Sequence, residues 1–264
     1  MTRWIFLTYG VACHVLFLVT FACLAGFVGN FVLPNTLDSP STTSPGLAVA
    51  IDLALLAAFA AQHSIMARPA FKRVWTRIIP QPIERSTYVL AASIVSGLLI
   101  WQWRGIPTIV WSVESPLAKA VMWGLFAFGW LLVPLVSLMI SHFDLFGTRQ
   151  VWLHFQGREL ASLPFGTPWL YKAVRHPLYI GWTIAFWATP MMTVSHLLFA
   201  AGMTIYMGLA AIVEEHDLVT HFGRAYADYQ RRVPMFVPRL RQRPESADFS
   251  ANDTTARTVA KAHD

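Results

Sequence analysis

Four apolar segments, each long enough to cross a bilayer as a helix, take up most of the first 140 residues. These segments are Trp4–Val28, Leu47–Met66, Thr87–Trp103 and Ala118–Ile140. A helical span needs about 20 apolar residues. Because lipid offers no hydrogen-bond partner, the backbone groups of a span must pair with one another. The sequence therefore predicts an all-α fold, a polytopic membrane helix bundle.

Two further apolar runs, Leu178–Thr189 and Val194–Val213, are separated only by the four residues 190–193. So short a break predicts a helical hairpin that enters the membrane and returns to its starting side. The bundle then has five to six transmembrane segments. The runs fit six crossings, or four crossings and a re-entrant hairpin.

The composition supports this interpretation and limits the domain count. The chain is 55% hydrophobic and 13% charged, whereas soluble domains carry about 25% charged residues. We therefore predict one membrane domain over residues 1–241. Residues 242–264 are polar, and this composition predicts a disordered tail. Both cysteines, Cys13 and Cys23, lie in the first apolar run, which excludes a disulfide or a cysteine metal site.

The lysines and arginines predict the orientation of the bundle. Of the 20, 18 lie at the N-terminus, in 67–86, in 141–179 or after residue 213, and only Arg104 and Lys119 lie in the opposite loops. The positive-inside rule then places both termini in the cytoplasm. Membrane orientation accounts for the net charge of +6, so we expect no nucleic-acid partner.

The segment 175–181, Arg-His-Pro-Leu-Tyr-Ile-Gly, opens the hairpin and predicts an anion-binding helix start. Pro177 suits the first helical position and His176 the cap. The first backbone donors of such a helix have no partner within it and attract anions. Those donors belong to Leu178, Tyr179 and Ile180. Arg175 and His176 add positive or donor groups, and Gly181 would let a ligand approach the backbone.

A pair of carboxylates, Glu214 and Glu215, ends the second arm of the hairpin. Since the hairpin returns to its starting side, we expect both to lie near His176 and Tyr179. An anion site beside two carboxylates suits a ligand with both a carboxylate and an ammonium group, such as S-adenosylmethionine. A solvated helix end is the simpler alternative.

Another polar group follows the fourth span in Ser-His-Phe-Asp-Leu-Phe-Gly-Thr-Arg-Gln. It contains His142, Asp144, Arg149 and Gln150. Ionisable residues at a membrane are costly and usually functional. By contrast, we expect Asp38 and Asp52, near the opposite surface, to be solvated.

The motifs near the C-terminus resemble, in order, those of a known family. They are Arg175–Gly181, Glu214-Glu215-x-x-Leu218, Phe222-Gly223-x-x-Tyr226-x-x-Tyr229 and Val233-Pro234. They resemble the integral membrane methyltransferases, which include isoprenylcysteine carboxyl methyltransferase and the phospholipid N-methyltransferases. Further motifs are similar to a bacterial subgroup, the methanethiol S-methyltransferases. These further motifs are His63-Ser64, Glu84–Tyr88, Phe143–Gln150 and Phe186–Pro190.

The resemblance implies a bacterial inner-membrane enzyme that uses S-adenosylmethionine, without a metal, to convert methanethiol into dimethyl sulfide. The cofactor core would cover about residues 140–238. The cofactor-binding residues would be Arg175, His176, Leu178, Tyr179, Gly181, Glu214, Glu215 and Tyr229.

The acceptor thiol needs help to react, because an ordinary thiol is mostly protonated at neutral pH. Asp144 or His142 could take its proton, and Arg149 could stabilise the thiolate. A small thiol would fit a narrow pocket lined by Gln150, Trp182, Phe186 and Trp187.

Three alternatives remain open on the sequence. The acceptor could be a lipid or a prenyl group. The chain could instead bind haem through His14, His63 or His142, since it also resembles membrane proteins linked to nitric oxide metabolism and a haem-dependent carotenoid isomerase. A transporter would be expected to show inverted repeats, which this sequence lacks.

Overall fold

The computed structural model describes residues 1–161 and 163–238. The predicted tail, 242–264, lies outside these residues. The elements are α1 (Thr2–Gly29), α2 (Pro45–Ala67), α3 (Pro69–Trp75), α4 (Gln81–Gln102), β1 (Ile109–Ser112), α5 (Pro116–Ile140), α6 (His142–Leu145), α7 (Thr148–Gln156), a 3-10 turn (Trp169–Lys172), α8 (Pro177–Trp187), β2 (Met191–Thr193), α9 (Val194–Phe222) and α10 (Arg224–Arg232).

Among the described residues, five helices, α1, α2, α4, α5 and α9, are long and apolar enough to cross a membrane. The predicted all-α, multi-pass membrane bundle is therefore confirmed. Helix α8 has only 11 residues, about 16 Å of helix, and is too short to span alone. Helix α9 continues past Val213, the end of its apolar run, to Phe222, because a helix can extend beyond the membrane where its residues become polar.

A two-stranded antiparallel sheet joins the α4–α5 connection to the break in the hairpin. Ile109 pairs with Thr193, and Ser112 pairs with Met191. We call this end of the bundle the sheet face and the opposite end, with α3, α6, α7 and α10, the terminal face. Since α8 leads from the terminal face to the sheet face and α9 leads back, the hairpin connects the two faces. Strands this short left no recognisable pattern in the sequence.

Aromatic side chains fill the half of the bundle next to the sheet face. Phe27, Trp103, Phe186 and Phe199 are all buried, and Trp103 Nε1 donates to Ser195 Oγ at 2.7 Å. Polar groups that could bind a ligand collect in the other half.

The expectation that Asp38 and Asp52 are solvated is wrong for Asp52. Asp52 is 0% exposed and accepts a hydrogen bond from the Arg104 backbone N–H at 2.9 Å. Asp38 accepts one from Thr193 Oγ1 at 2.5 Å. These carboxylates hold the loops of the sheet face together, which no local pattern indicated.

Candidate functional site

The start of α8 is built as the sequence predicted. His176 is the N-cap and Pro177 follows it, and no side chain caps the helix. The N–H groups of Leu178 and Tyr179 have no protein acceptor within the part of the chain that the structure describes. The backbone N–H groups of Arg175 and His176 donate to the carbonyls of Pro234 and Met235, at 2.9 and 3.2 Å. The helix start is thus fixed by the segment after α10 and keeps two free donors.

A buried ion-pair cluster lies directly behind this helix start. Glu215 accepts from Arg175 Nε at 2.5 Å and Nη2 at 3.1 Å, from His176 Nε2 at 3.0 Å and from Gln230 Nε2 at 2.9 Å. Its side chain is 8% exposed. We call Arg175, His176, Glu215 and Gln230 the Arg175–Glu215 cluster, and it joins α8, α9 and α10.

Arg175 is also bound to the backbone, since its Nη1 donates to the carbonyls of Gln230 and Val233. The predicted approach of Glu215 to His176 is confirmed. However, the charges of Arg175 and Glu215 offset each other, so neither is directed at a ligand in this arrangement. The cluster instead holds the helix start in place.

Glu214, the neighbouring carboxylate, has a different environment. Its side chain is 46% exposed, and it accepts one hydrogen bond, from the Tyr179 hydroxyl at 2.9 Å. His176 Nδ1 lies 3.9 Å away. We call Glu214 and the free N–H groups of Leu178 and Tyr179 the amino-acid seat. It comprises one anion and two hydrogen-bond donors.

Tyr229, on α10, binds the turn that precedes α8. Its hydroxyl donates to the Tyr171 carbonyl at 2.6 Å, and burial raises the pKa of Tyr229 to about 12. The phenol is therefore neutral and acts as a donor. Its direct contact with a cofactor stays a prediction.

The predicted thiol-side residues divide into two groups. Asp144 accepts from Arg149 Nη1 at 2.8 Å and from Gln150 Nε2 at 3.2 Å. His142 lies apart, with Nδ1 2.8 Å from Ser137 Oγ and its ring centroid 5.1 Å from that of His14. Burial, and to a smaller degree repulsion from His14, lower the pKa of His142. At neutral pH His142 is thus an uncharged imidazole.

The aromatic residues predicted to line one thiol pocket do not all lie together. Trp182 and Phe186 stack with ring centroids 5.3 Å apart in the packed core, where Phe186 is 1% exposed. Trp187 instead donates from Nε1 to Thr204 Oγ1 at 2.9 Å. Residues four apart share a helix face and those five apart do not, which explains the separation.

Gly181 lies at the contact between α5 and α8. A Cβ on Gly181 would lie 3.2 Å from Val133 Cγ2, and one on Gly129 would lie 2.5 Å from the Ala185 backbone N. The glycines thus let α5 and α8 approach closely, as small residues do in membrane bundles. This contact accounts for Gly181 without a ligand.

A further polar group lies inside the bundle, and apart from the haem alternative for His63 the sequence indicated no role in binding for it. The Tyr88 hydroxyl lies 2.9 Å from His63 Nε2, and the Tyr206 hydroxyl lies 3.2 Å from Ser64 Oγ. We call these four residues the tyrosine–histidine cluster. They come from three helices, so no spacing in the sequence connects them. The only signal was that His63, Ser64 and Tyr88 fall in the motifs of the resemblance.

Comparison with known proteins identifies the family. Methanethiol S-methyltransferase from Crocosphaera subtropica is 48% identical over 90% of this chain and 93% of its own length. The enzyme of the same name from Mycobacterium tuberculosis is 48% identical over 90% and 98%. This chain belongs to the methanethiol S-methyltransferase family.

The chain also has a more distant relative. Nurim from Bos taurus is 30% identical over 63% of this chain and 66% of its own length. No family model and no solved structure matches.

Membership of the methanethiol S-methyltransferase family confirms the resemblance that the motifs predicted. The chain is therefore an enzyme that transfers a methyl group. The alternatives are not favoured. The rings of His14 and His142 meet edge to face with no space for a porphyrin between them, and His63 is bonded to Tyr88.

Proposed function

We propose that this protein transfers the methyl group of S-adenosylmethionine to methanethiol, forming dimethyl sulfide, in a bacterial inner membrane. The observation that carries the proposal is the amino-acid seat. Its half-exposed carboxylate lies beside the uncapped start of α8. The choice of acceptor rests on the names of the relatives.

The residues present fit the amino-acid group of S-adenosylmethionine. Glu214 would bind the ammonium, and the N–H groups of Leu178 and Tyr179 would bind the carboxylate, aided by the positive end of the helix dipole. His176, Tyr229 and the rest of the Arg175–Glu215 cluster would hold these groups in place. When bound, S-adenosylmethionine supplies an electrophilic methyl group on a sulfonium.

The interior of the bundle suits the reaction on the acceptor side. A thiolate and a sulfonium become two neutral thioethers, and a water-poor site favours such a loss of charge. We propose that His142 takes the thiol proton and that Asp144 and Arg149, as a pair, hold the α5–α7 connection beside the acceptor.

The test uses purified protein in nanodiscs with methyl-labelled S-adenosylmethionine and a panel of thiols, lipids and prenylcysteines. We expect labelled dimethyl sulfide in the headspace when methanethiol is supplied. The Glu214→Gln variant is the control for non-enzymatic methylation. If the protein bound S-adenosylmethionine but labelled only a lipid or prenyl acceptor, the proposal would be wrong.

His142→Gln is expected to lower the methylation rate at neutral pH and to recover partly at higher pH. A general base typically contributes 10²–10⁴-fold, and a rising pH ionises the thiol without one. Asp144→Asn and Arg149→Ala should lose activity to similar extents, without recovery at high pH, because each removes the same ion pair. Rates from pH 6 to 10 check this, with roughly constant cofactor affinity. Full activity in all three variants would contradict it.

Both termini are expected in the cytoplasm, from the 18-to-2 distribution of lysine and arginine. A reporter active only in the periplasm should be inactive when fused after Arg243 and active when inserted in the loop 104–119. The opposite pattern would reverse the orientation.

A further inference from the structure

The tyrosine–histidine cluster lies on the same side of the aromatic core as the amino-acid seat. His63 is four residues, about 6 Å, from the end of α2, and Tyr88 is seven residues, about 10 Å, from the start of α4. Both helix ends belong to the terminal face. Tyr179, whose hydroxyl donates to Glu214 at 2.9 Å, and Tyr206 both pack against this aromatic core.

The hydrogen bond between Tyr88 and His63 determines which ring nitrogen carries the proton. A phenol O–H is a stronger acid than a neutral imidazole N–H, and an imidazole nitrogen is a stronger base than a phenol oxygen. Tyr88 therefore donates to Nε2 at 2.9 Å. The neutral ring then has its hydrogen on Nδ1.

His63 Nδ1 is buried and has no hydrogen-bond partner among residues 1–161 and 163–238. Buried donors nearly always have a partner, and one without a partner is costly. The surroundings offer no replacement, because Phe59 stacks on the imidazole with ring centroids 5.2 Å apart and Tyr206 meets it edge-on at 6.5 Å. A free donor among aromatic rings suits a small apolar ligand with one acceptor atom.

We propose that His63 Nδ1–H binds the sulfur of the acceptor thiolate. This inference rests on the proposed function and adds the acceptor site to it. In S-adenosylmethionine two methylene groups separate the sulfonium from the amino-acid group, so the acceptor must bind near the seat but not on it. The cluster meets this requirement, because it lies on the same side of the aromatic core as the seat and shares no residue with it.

In the proposed reaction the base takes the thiol proton, and the thiolate sulfur forms a bond to the methyl carbon. The bond from that carbon to the donor sulfur breaks, and its electron pair stays on the donor sulfur. His63 keeps its proton throughout and orients the sulfur by a hydrogen bond.

Two amide variants of His63 test the proposal. The amide nitrogen of Asn can take the place of Nδ1, and that of Gln can take the place of Nε2. We expect His63→Gln to lower kcat/KM for methanethiol roughly 10- to 150-fold, the value of a hydrogen bond to a charged group. His63→Asn should stay close to the parent, as should His154→Asn, a matched control in α7. Calorimetry should give unchanged cofactor affinity in all three.

A second measurement does not depend on turnover. In protein loaded with sinefungin, a cationic analogue that cannot donate a methyl group, added methanethiol should give the ultraviolet absorbance of a bound thiolate. His63→Gln should reduce this signal and Tyr88→Phe should reduce it less. Tyr88→Phe also serves if His63→Gln does not fold, and an unchanged signal in Tyr88→Phe would overturn the proposal.

The outcomes separate this inference from the proposed function. Equal losses in His63→Gln and His63→Asn, or a loss of cofactor affinity, would show a structural role and overturn the inference alone. A loss confined to His142→Gln would do the same. A parent protein that binds S-adenosylmethionine and methylates no thiol would overturn the proposed function, and the role of His63 with it.

Discussion

Glu214→Gln should bind S-adenosylmethionine roughly 30- to 5,000-fold more weakly than the parent, a cost of about 2–5 kcal/mol for removing one member of a charge pair that the bound cofactor desolvates. Within residues 1–161 and 163–238, Glu214 has only the Tyr179 hydroxyl as a hydrogen-bond partner, so its negative charge is available to a ligand. Glutamine keeps the size of the side chain and can still accept from Tyr179. The fold should therefore be unchanged.

Titration calorimetry in nanodiscs measures this effect. Asp217→Asn is the matched control, because Asp217 is a carboxylate on the same helix that pairs with Arg68 at 2.8 Å. That variant should bind S-adenosylmethionine normally. Parental affinity in Glu214→Gln would mean that Glu214 is a solvated helix end and that the seat lies elsewhere.

Glu215→Ala should instead lower the free energy of unfolding, by about 3–5 kcal/mol, the typical cost of breaking a buried ion pair. The substitution leaves the Arg175 guanidinium, 11% exposed, without its counter-charge and removes partners of His176 and Gln230. Chemical denaturation in detergent micelles measures the change. Asp228→Ala, which removes an exposed pair with Arg231, should cost no more than about 1 kcal/mol.

The two glutamates therefore separate binding from stability. If Glu215→Ala kept its stability and lost only cofactor affinity, Glu215 would face the ligand, as the sequence suggested. A Glu214→Gln variant with a clearly lowered free energy of unfolding would also contradict this separation, because Glu214 is assigned to binding and not to stability.

Features that depend on a few neighbouring residues could be predicted from the sequence. Apolar runs located the spans, and Pro177 placed the cap at His176. The proximity of Glu214 to Tyr179 also followed, because a hairpin with a short turn must bring its two ends together.

Features that depend on which helices are neighbours could not be predicted. The sequence shows Arg175 as a free cation, and only the packing of α9 and α10 shows that its charge is offset. Asp52 appeared solvated because its partner, the Arg104 backbone, lies about fifty residues away. The tyrosine–histidine cluster needs three helices, and its polar members are isolated in their own segments.

The contacts between the start of α8 and residues 230–235 affect the order in which the protein is assembled during its synthesis. Arg175 and His176 are held by Gln230, Val233, Pro234 and Met235, which the ribosome adds more than fifty residues later. A nascent chain that ends before Gln230 would already contain every long membrane helix of the described structure, yet the start of α8 would lack these partners. Insertion into the membrane and completion of the proposed cofactor site are thus separate events, and a prematurely terminated chain would have the membrane helices without the finished start of α8.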